Sequence, residues 1–192
     1  MKVIQLHQEE KQLIKLAVEN NRQAQQQIYA KFSSKMLSVC RQYIKDIHHA
    51  EDVMITGFMK VFTNLKNFEH KGSFEGWIRR IMVYECIDFL RVKKNNFNHQ
   101  DIEDVTVSEN ESVYEMEDFS VDDIQNMIDN LPDGYKMVFN LYAIEGYKHQ
   151  EIAEMLKISE GTSKSQLSHA RKLLQQQITD LKNKLNDIAT IR

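Results

Sequence analysis

The chain has 192 residues, 42% of them hydrophobic, with 25 Lys and Arg against 28 Asp and Glu. That is enough apolar material for one packed core or two small ones, and too much for a disordered protein. Six glycines and one proline leave few breakers for strands and tight turns, while the Gln, Lys, Glu, Leu and Ile content favours helices, so an all-α fold is expected. No apolar run approaches the roughly 20 residues that span a bilayer, and the N-terminus MKVIQLHQEEKQ has no signal-peptide core; no membrane insertion and a cytoplasmic location are expected. Cys40 and Cys86 stand alone inside helical patterns, which reads as two buried thiols and not as a disulfide framework or a zinc site.

A lead helix is predicted near Leu13 to Val18, broken at Asn20 and Asn21. A longer helix follows from Arg22 to Ile44, with Ile28, Phe32, Met36, Val39 and Tyr43 on one face. After Asp46 a third helix turns Ala50, Val53, Phe58, Val61, Phe62 and Leu65 inward. The loop KNFEHKGS interrupts the pattern, and Ser73 is placed to cap a helix from Phe74 to Lys94. That helix carries two stripes. Phe74, Ile78, Ile81, Met82 and Phe89 form one; Trp77, Arg80, Tyr84, Asp88 and Arg91 fall within about 80° of one another and form the other. Aromatic rings interleaved with arginines suit unstacked bases and their phosphates, and Arg91, Lys93 and Lys94 give the helix a basic end. A half-buried structural role for Trp77 and Tyr84 fits the same spacing equally well.

Residues 101–120 hold eight acidic side chains and no Lys or Arg. Without them 25 basic face 20 acidic residues, a balance of about +5, so the near-neutral whole conceals two mildly basic ends. The stretch lacks an apolar stripe and marks a linker at 98–120 between a domain at 9–97 and another at 121–178.

The second domain opens at Val121, turns at LPDG, and runs through an apolar helix, YKMVFNLYAI, into KHQEIAEMLKISEGTSKSQLSHARKLL. Two short amphipathic helices meet there at a tight polar turn, the pattern of a helix-turn-helix. Ile152, Ala153 and Leu156 face inward from the first; Ser163, Leu167, Ala170 and Leu174 face inward from the second, with Ser159 as its cap. The outer side of the second helix carries Thr162, Ser165, Ser168, His169 and Lys172, flanked by Lys164 and Arg171 on one edge and Gln166 on the other. Short hydrogen-bonding groups mixed with cations suit base edges and phosphates in a major groove. His149 reads as an exposed helix start. His48 and His49 are adjacent, and no His, Cys and carboxylate cluster has a metal-site or triad spacing, so no catalysis, metal or cofactor is expected. A polymerase-independent operator-binding regulator remains an alternative, although the stripe Leu174, Ile178, Leu181, Leu185 is short for a dimerising coiled coil; a helical adaptor is another.

Taken together, SFEGWIRRIMVYECIDFLRVKK, an acidic linker, and LPDGYKMVFNLYAIEGYKHQEIAEMLKISEGTSKSQLSHARKLL resemble an extracytoplasmic-function (ECF) sigma factor of the sigma-70 family, over roughly residues 9 to 178. The resemblance implies a region 2-like bundle whose AEDVMITGFMKVF helix, through Asp52, Val53, Ile55, Thr56 and Phe58, binds the β′ clamp helices of core RNA polymerase. It implies that the Phe74 to Lys94 helix recognises and opens the minus-ten element. A region 4-like helix-turn-helix would read the minus-thirty-five element and touch the β flap, the acidic linker would thread toward the active-site channel, and an anti-sigma protein would hold the chain inactive. Ile55 and Thr56 stand where many relatives carry Gln-Glu, Tyr84 where Asn is frequent, Gln166 and His169 where Arg is frequent, and Ser163 where Val is usual.

Overall fold

The computed structural model describes the backbone of residues 2–96 and 119–190, and side chains over 9–92 and 119–183. Among these residues every regular element is helical. The chain divides into two compact units, Met1–Phe97 and Asn98–Arg192. The acidic linker expected at 98–120 falls almost wholly outside the described residues.

In the first unit, α1 (Lys2–Val18) lies against α2 (Arg22–Tyr43), and α2, α3 (Ile47–Asn64) and α4 (Phe74–Asn96) pack on one another. The starts of α2, α3 and α4 are each set by a side-chain acceptor that satisfies a free N–H of the first turn. Asn21 Oδ1 accepts from Ala24 N–H at 3.0 Å, Asp46 Oδ1 from His49 N–H at 3.0 Å, and Ser73 Oγ from Gly76 N–H at 3.0 Å. The predicted α2 face is buried throughout, as are Ala50, Val53, Phe58, Val61 and Leu65; Phe62 is half-buried. On α4 the buried side is wider than expected. Ile81 and Phe89 are only half-buried, while Val83, Cys86 and Ile87 join Phe74, Ile78 and Met82 in the core, because α4 packs against both α2 and α3. Glu85 is buried beside them and is ion-paired with Lys60 of α3. Cys40 and Cys86 are buried, and neither is in a disulfide.

In the second unit, α5 (Val121–Asp129) starts at a capping box. Asp123 N–H donates to Ser120 Oγ at 3.1 Å and Ser120 N–H to Asp123 Oδ2 at 3.1 Å. The apolar segment expected as one helix is two elements, α6 (Asp133–Phe139) and a π-helical turn at Asn140–Ile144, closed where Glu145 N–H donates to Asn140 O at 3.0 Å. A π turn holds an extra residue and shifts every side chain after it around the axis. The helix-turn-helix follows as α7 (His149–Leu156) and α8 (Glu160–Thr190). Ser159 caps α8, its Oγ accepting from Thr162 N–H at 2.9 Å. Leu131, Tyr135 and Ala170 pack together, with Phe139, Leu173 and Leu174 around them.

Lys157 ends α7 in the left-handed conformation, φ 57° and ψ 45°. A β-carbon is strained there by roughly 1–2 kcal/mol, and glycine is not. Lys157→Gly is therefore expected to raise the stability of the second unit by about 0.5–1 kcal/mol after the extra chain entropy of glycine is subtracted. Urea unfolding of the two chains compared side by side measures it.

Candidate polymerase and nucleic-acid interfaces

Three helix faces hold the residues singled out from the sequence. On α3, Asp52, Ile55 and Thr56 point outward, Ile55 at 49% exposure, and the Thr56 hydroxyl donates to Asp52 O at 2.9 Å. Val53 and Phe58 do not belong to this surface. Both are buried: Val53 lies on the opposite side of the helix from Ile55, and Phe58, though only one turn on, turns edge-on to Tyr29 of α2 at 4.8 Å. Met59 takes their place, 69% exposed and one turn beyond Ile55. Its i+4 spacing from Ile55 was visible in the sequence, and nothing local marked it as outward.

The outer face of α4 brings Arg80, Tyr84, Asp88 and Arg91 to the surface in one row. The Arg80 guanidinium lies 5.8 Å from the Tyr84 ring centroid, and Arg91 Nη1 is 2.9 Å from Asp88 Oδ1. Trp77 is half-buried, with Phe74 stacked at 5.9 Å and 14° and Phe68 at 5.5 Å. One face of the ring is packed and part of it remains accessible. Sequence reasoning passed over the loop before α4, where Phe68 sits under Trp77 and His70 meets Phe68 edge-on at 4.8 Å. The run of Phe68, His70, Phe74 and Trp77 was the available signal. The helix backbone passes through Lys93 and Lys94, whose side chains lie outside the described residues.

On α8, Lys164, Ser165, Ser168 and Arg171 are exposed, and Thr162, Gln166, His169 and Lys172 are half-buried. Thr162 Oγ1 is 2.8 Å from Ser159 Oγ, and Ser165 Oγ donates to Thr162 O at 3.0 Å, so both hydroxyls sit at the first turn of the helix. The Gln166 amide covers Gly134, where an added Cβ would stand 3.3 Å from Nε2. His169 stacks on Tyr135 at 5.4 Å and 15°. Lys164 Nζ is 2.7 Å from Glu160 Oε1, while Arg171 lies over Tyr142 at 5.6 Å. His149 is not the exposed helix start expected of it. It is half-buried, its Nδ1 2.9 Å from Ser163 Oγ and its ring stacked on Tyr142 at 4.6 Å. The partner is distant in sequence, so no local pattern announced it.

Three exposed carboxylates at helix starts are held below their ordinary range: Asp46 chiefly by the His49 N–H, Asp123 by the Ser120 hydroxyl, and Glu160 by its hydrogen bond and charge pairing with Lys164. A depressed pKa means the ionised form is bound more favourably in the folded state, so the stabilisation is present above the unfolded pKa and is lost as pH falls through the folded one. Thermal stability is therefore expected to drop as pH falls below about 4, and to drop less steeply in Asp123→Asn, which keeps an acceptor but no charge. Differential scanning calorimetry between pH 3 and 6 checks both. Among the described residues no group of three or more His, Cys, Asp and Glu is arranged to hold a metal ion, and no helix is long and apolar enough to cross a membrane.

A helix-turn-helix with a mixed cationic and hydroxyl face, in a chain whose other unit presents aromatics and arginines along one helix, defines the class of modular helical DNA-binding transcription factors. Residues 28–96 match the family described as Sigma-70 region 2, and residues 121–174 match Sigma-70, region 4. The ECF RNA polymerase sigma factor SigW of Bacillus subtilis is 30% identical over 163 residues, covering 78% of this chain and 86% of that protein. The ECF RNA polymerase sigma-E factor of Haemophilus influenzae is 23% identical over 88% of this chain and 95% of its own. The fold is shared with the sigma factor RpoE of Bartonella quintana, solved in complex with the anti-sigma factor NepR, at a TM-score of 0.53 and 19% identity over 80% of this chain and 96% of that one. The chain belongs to the ECF group of the sigma-70 family. It is an RNA polymerase-binding factor for promoter recognition and not an enzyme.

Proposed function

We propose a division of labour among the three faces. The outer stripe of α3, Asp52, Ile55, Thr56 and Met59, binds the β′ clamp helices of core polymerase. The α4 face, Trp77, Arg80, Tyr84, Asp88 and Arg91 with Lys93 and Lys94, captures bases of the minus-ten element as the duplex opens. Stacking is worth about 1–3 kcal/mol per base, which biases opening at a susceptible step without melting the duplex unaided. The α8 face reads the minus-thirty-five element as duplex: Lys164, Arg171 and Lys172 hold phosphates, and Thr162, Ser165, Gln166, Ser168 and His169 meet base edges or fix the helix in the groove. The second unit also touches the β flap. Tethering two weak contacts on one polymerase raises the effective concentration of the second, so promoter choice depends on both elements and their spacing.

The observation that carries this reading is the separation of chemistries. The α3 stripe offers exposed Ile55 and Met59, whereas α8 exposes Lys164, Ser165, Ser168 and Arg171 and no large apolar side chain over its first three turns. The chain acts in the cytoplasm, where polymerase is, and an anti-sigma protein is its proposed inhibitor. Lys164→Ala and Arg171→Ala are expected to weaken upstream-element binding by about threefold to tenfold each while core-polymerase affinity is retained. Titration of labelled promoter and of core polymerase with each variant measures the two affinities separately; equal loss of both overturns the division.

A further inference from the structure

The recognition helix carries two cations on one flank, and the structure holds them in different ways. Lys164 is paired with the Glu160 carboxylate at 2.7 Å. A cation so paired offers a phosphate little net charge until it leaves its partner. Arg171 instead lies over the ring of Tyr142, 5.6 Å from the centroid. An aromatic face orients a guanidinium without cancelling its charge.

Tyr142 belongs to neither helix of the helix-turn-helix. It sits on the π-helical turn at Asn140–Ile144. The same ring receives His149, the first residue of α7, stacked at 4.6 Å and 22°. His149 Nδ1 is in turn 2.9 Å from the hydroxyl of Ser163, which is fully buried in α8. The contacts thus leave α8 on its buried side at Ser163, pass through His149 and Tyr142, and return to α8 on its exposed flank at Arg171. Those two residues are eight apart, about 12 Å along the helix axis, so the bridge spans more than two turns.

We infer that Tyr142, fixed by the His149–Ser163 hydrogen bond, is a positioning residue that sets the reach of Arg171 toward the upstream promoter element. The inference rests on the proposal that α8 reads that element. It assigns part of the affinity for that element to residues that touch no DNA. Tyr142→Leu removes the ring face but keeps apolar bulk; Tyr142→Phe keeps the ring; Ser163→Val replaces the hydroxyl with methyl groups, one carbon larger, and removes the hydrogen bond.

The test uses the full chain bound to core polymerase and a set of promoters with single base-pair changes through the upstream element. Affinities are measured for wild type, Arg171→Ala, Tyr142→Leu, Tyr142→Phe, Ser163→Val and the Tyr142→Leu, Arg171→Ala double variant. Tyr142→Leu is expected to lose about twofold to fivefold in affinity, the size of one exposed cation–π contact. Its profile across promoters should follow that of Arg171→Ala. Ser163→Val should show the same profile in weaker form, Tyr142→Phe should match wild type, and the double variant should be no weaker than Arg171→Ala. An unchanged Tyr142→Leu, a profile unlike that of Arg171→Ala, or additive losses in the double variant would overturn the inference alone. An Arg171→Ala chain that binds the upstream element normally would remove the upstream-reader proposal and this inference with it.

Discussion

Phe58→Ala is expected to cost the first unit about 3–5 kcal/mol, while Met59→Glu, one residue on, leaves its stability within about 0.5 kcal/mol and weakens core-polymerase binding by tenfold or more. The contrast follows from burial. Phe58 is 2% exposed and lies between Tyr29 and Phe62, so truncation removes a packed ring and leaves a cavity that α2 and α3 cannot close. Met59 is 69% exposed, and a carboxylate there meets only water in the free protein. In the bound state it would bury an unpaired charge in an apolar contact, the costliest change available at an interface. Urea denaturation reports the first effect and fluorescence anisotropy with core polymerase the second. A Met59→Glu chain that binds normally would move the polymerase contact off α3.

Gly57→Leu is expected to destabilise the same unit by about 3 kcal/mol, the upper part of the usual range for overpacking. Gly57 is buried where α3 crosses α4, and a Cβ built on it runs into Met82 Sδ. Met82 is itself fully buried, so its flexible end has nowhere to swing, and the helices must separate. Separation would also pull Lys60 from Glu85, leaving a buried carboxylate without its cation. Thermal unfolding measures the loss. A companion Gly57→Leu, Met82→Ala chain should recover part of it, since the second change vacates the volume that the first requires. Residues 57, 58 and 59 thus face α4, α2 and the outside in turn.

Most helix boundaries were legible because they are written locally. Asn21, Asp46, Ser73 and Ser159 each sit just before an apolar stripe and each accepts a first-turn N–H. The buried side of α8 was legible for the same reason: Ser163, Leu167, Ala170 and Leu174 recur at helical spacing, and the first three are buried while Leu174 is half-buried. What escaped was non-local or off-period. The π turn at Asn140–Ile144 adds a residue inside an unbroken apolar run, which a 3.6-residue period reads as continuing helix. The His149–Ser163 hydrogen bond joins residues fourteen apart and depends on the packing of α7 against α8. On α3 the motif offered Val53 and Phe58 together with Ile55 as polymerase contacts, although the helical period already placed the first two inward. Folding separates them, and it adds Met59 to the surface. Recognising a family motif locates a functional helix; only the packed helix says which of its residues a partner can touch.

The chain's central role is tested most directly by transcription reconstituted from core RNA polymerase on a promoter library, with and without this protein. The account predicts a set of start sites that appears only when the chain is present and whose upstream sequences share two elements at fixed spacing. Start sites that are identical in its absence would contradict it.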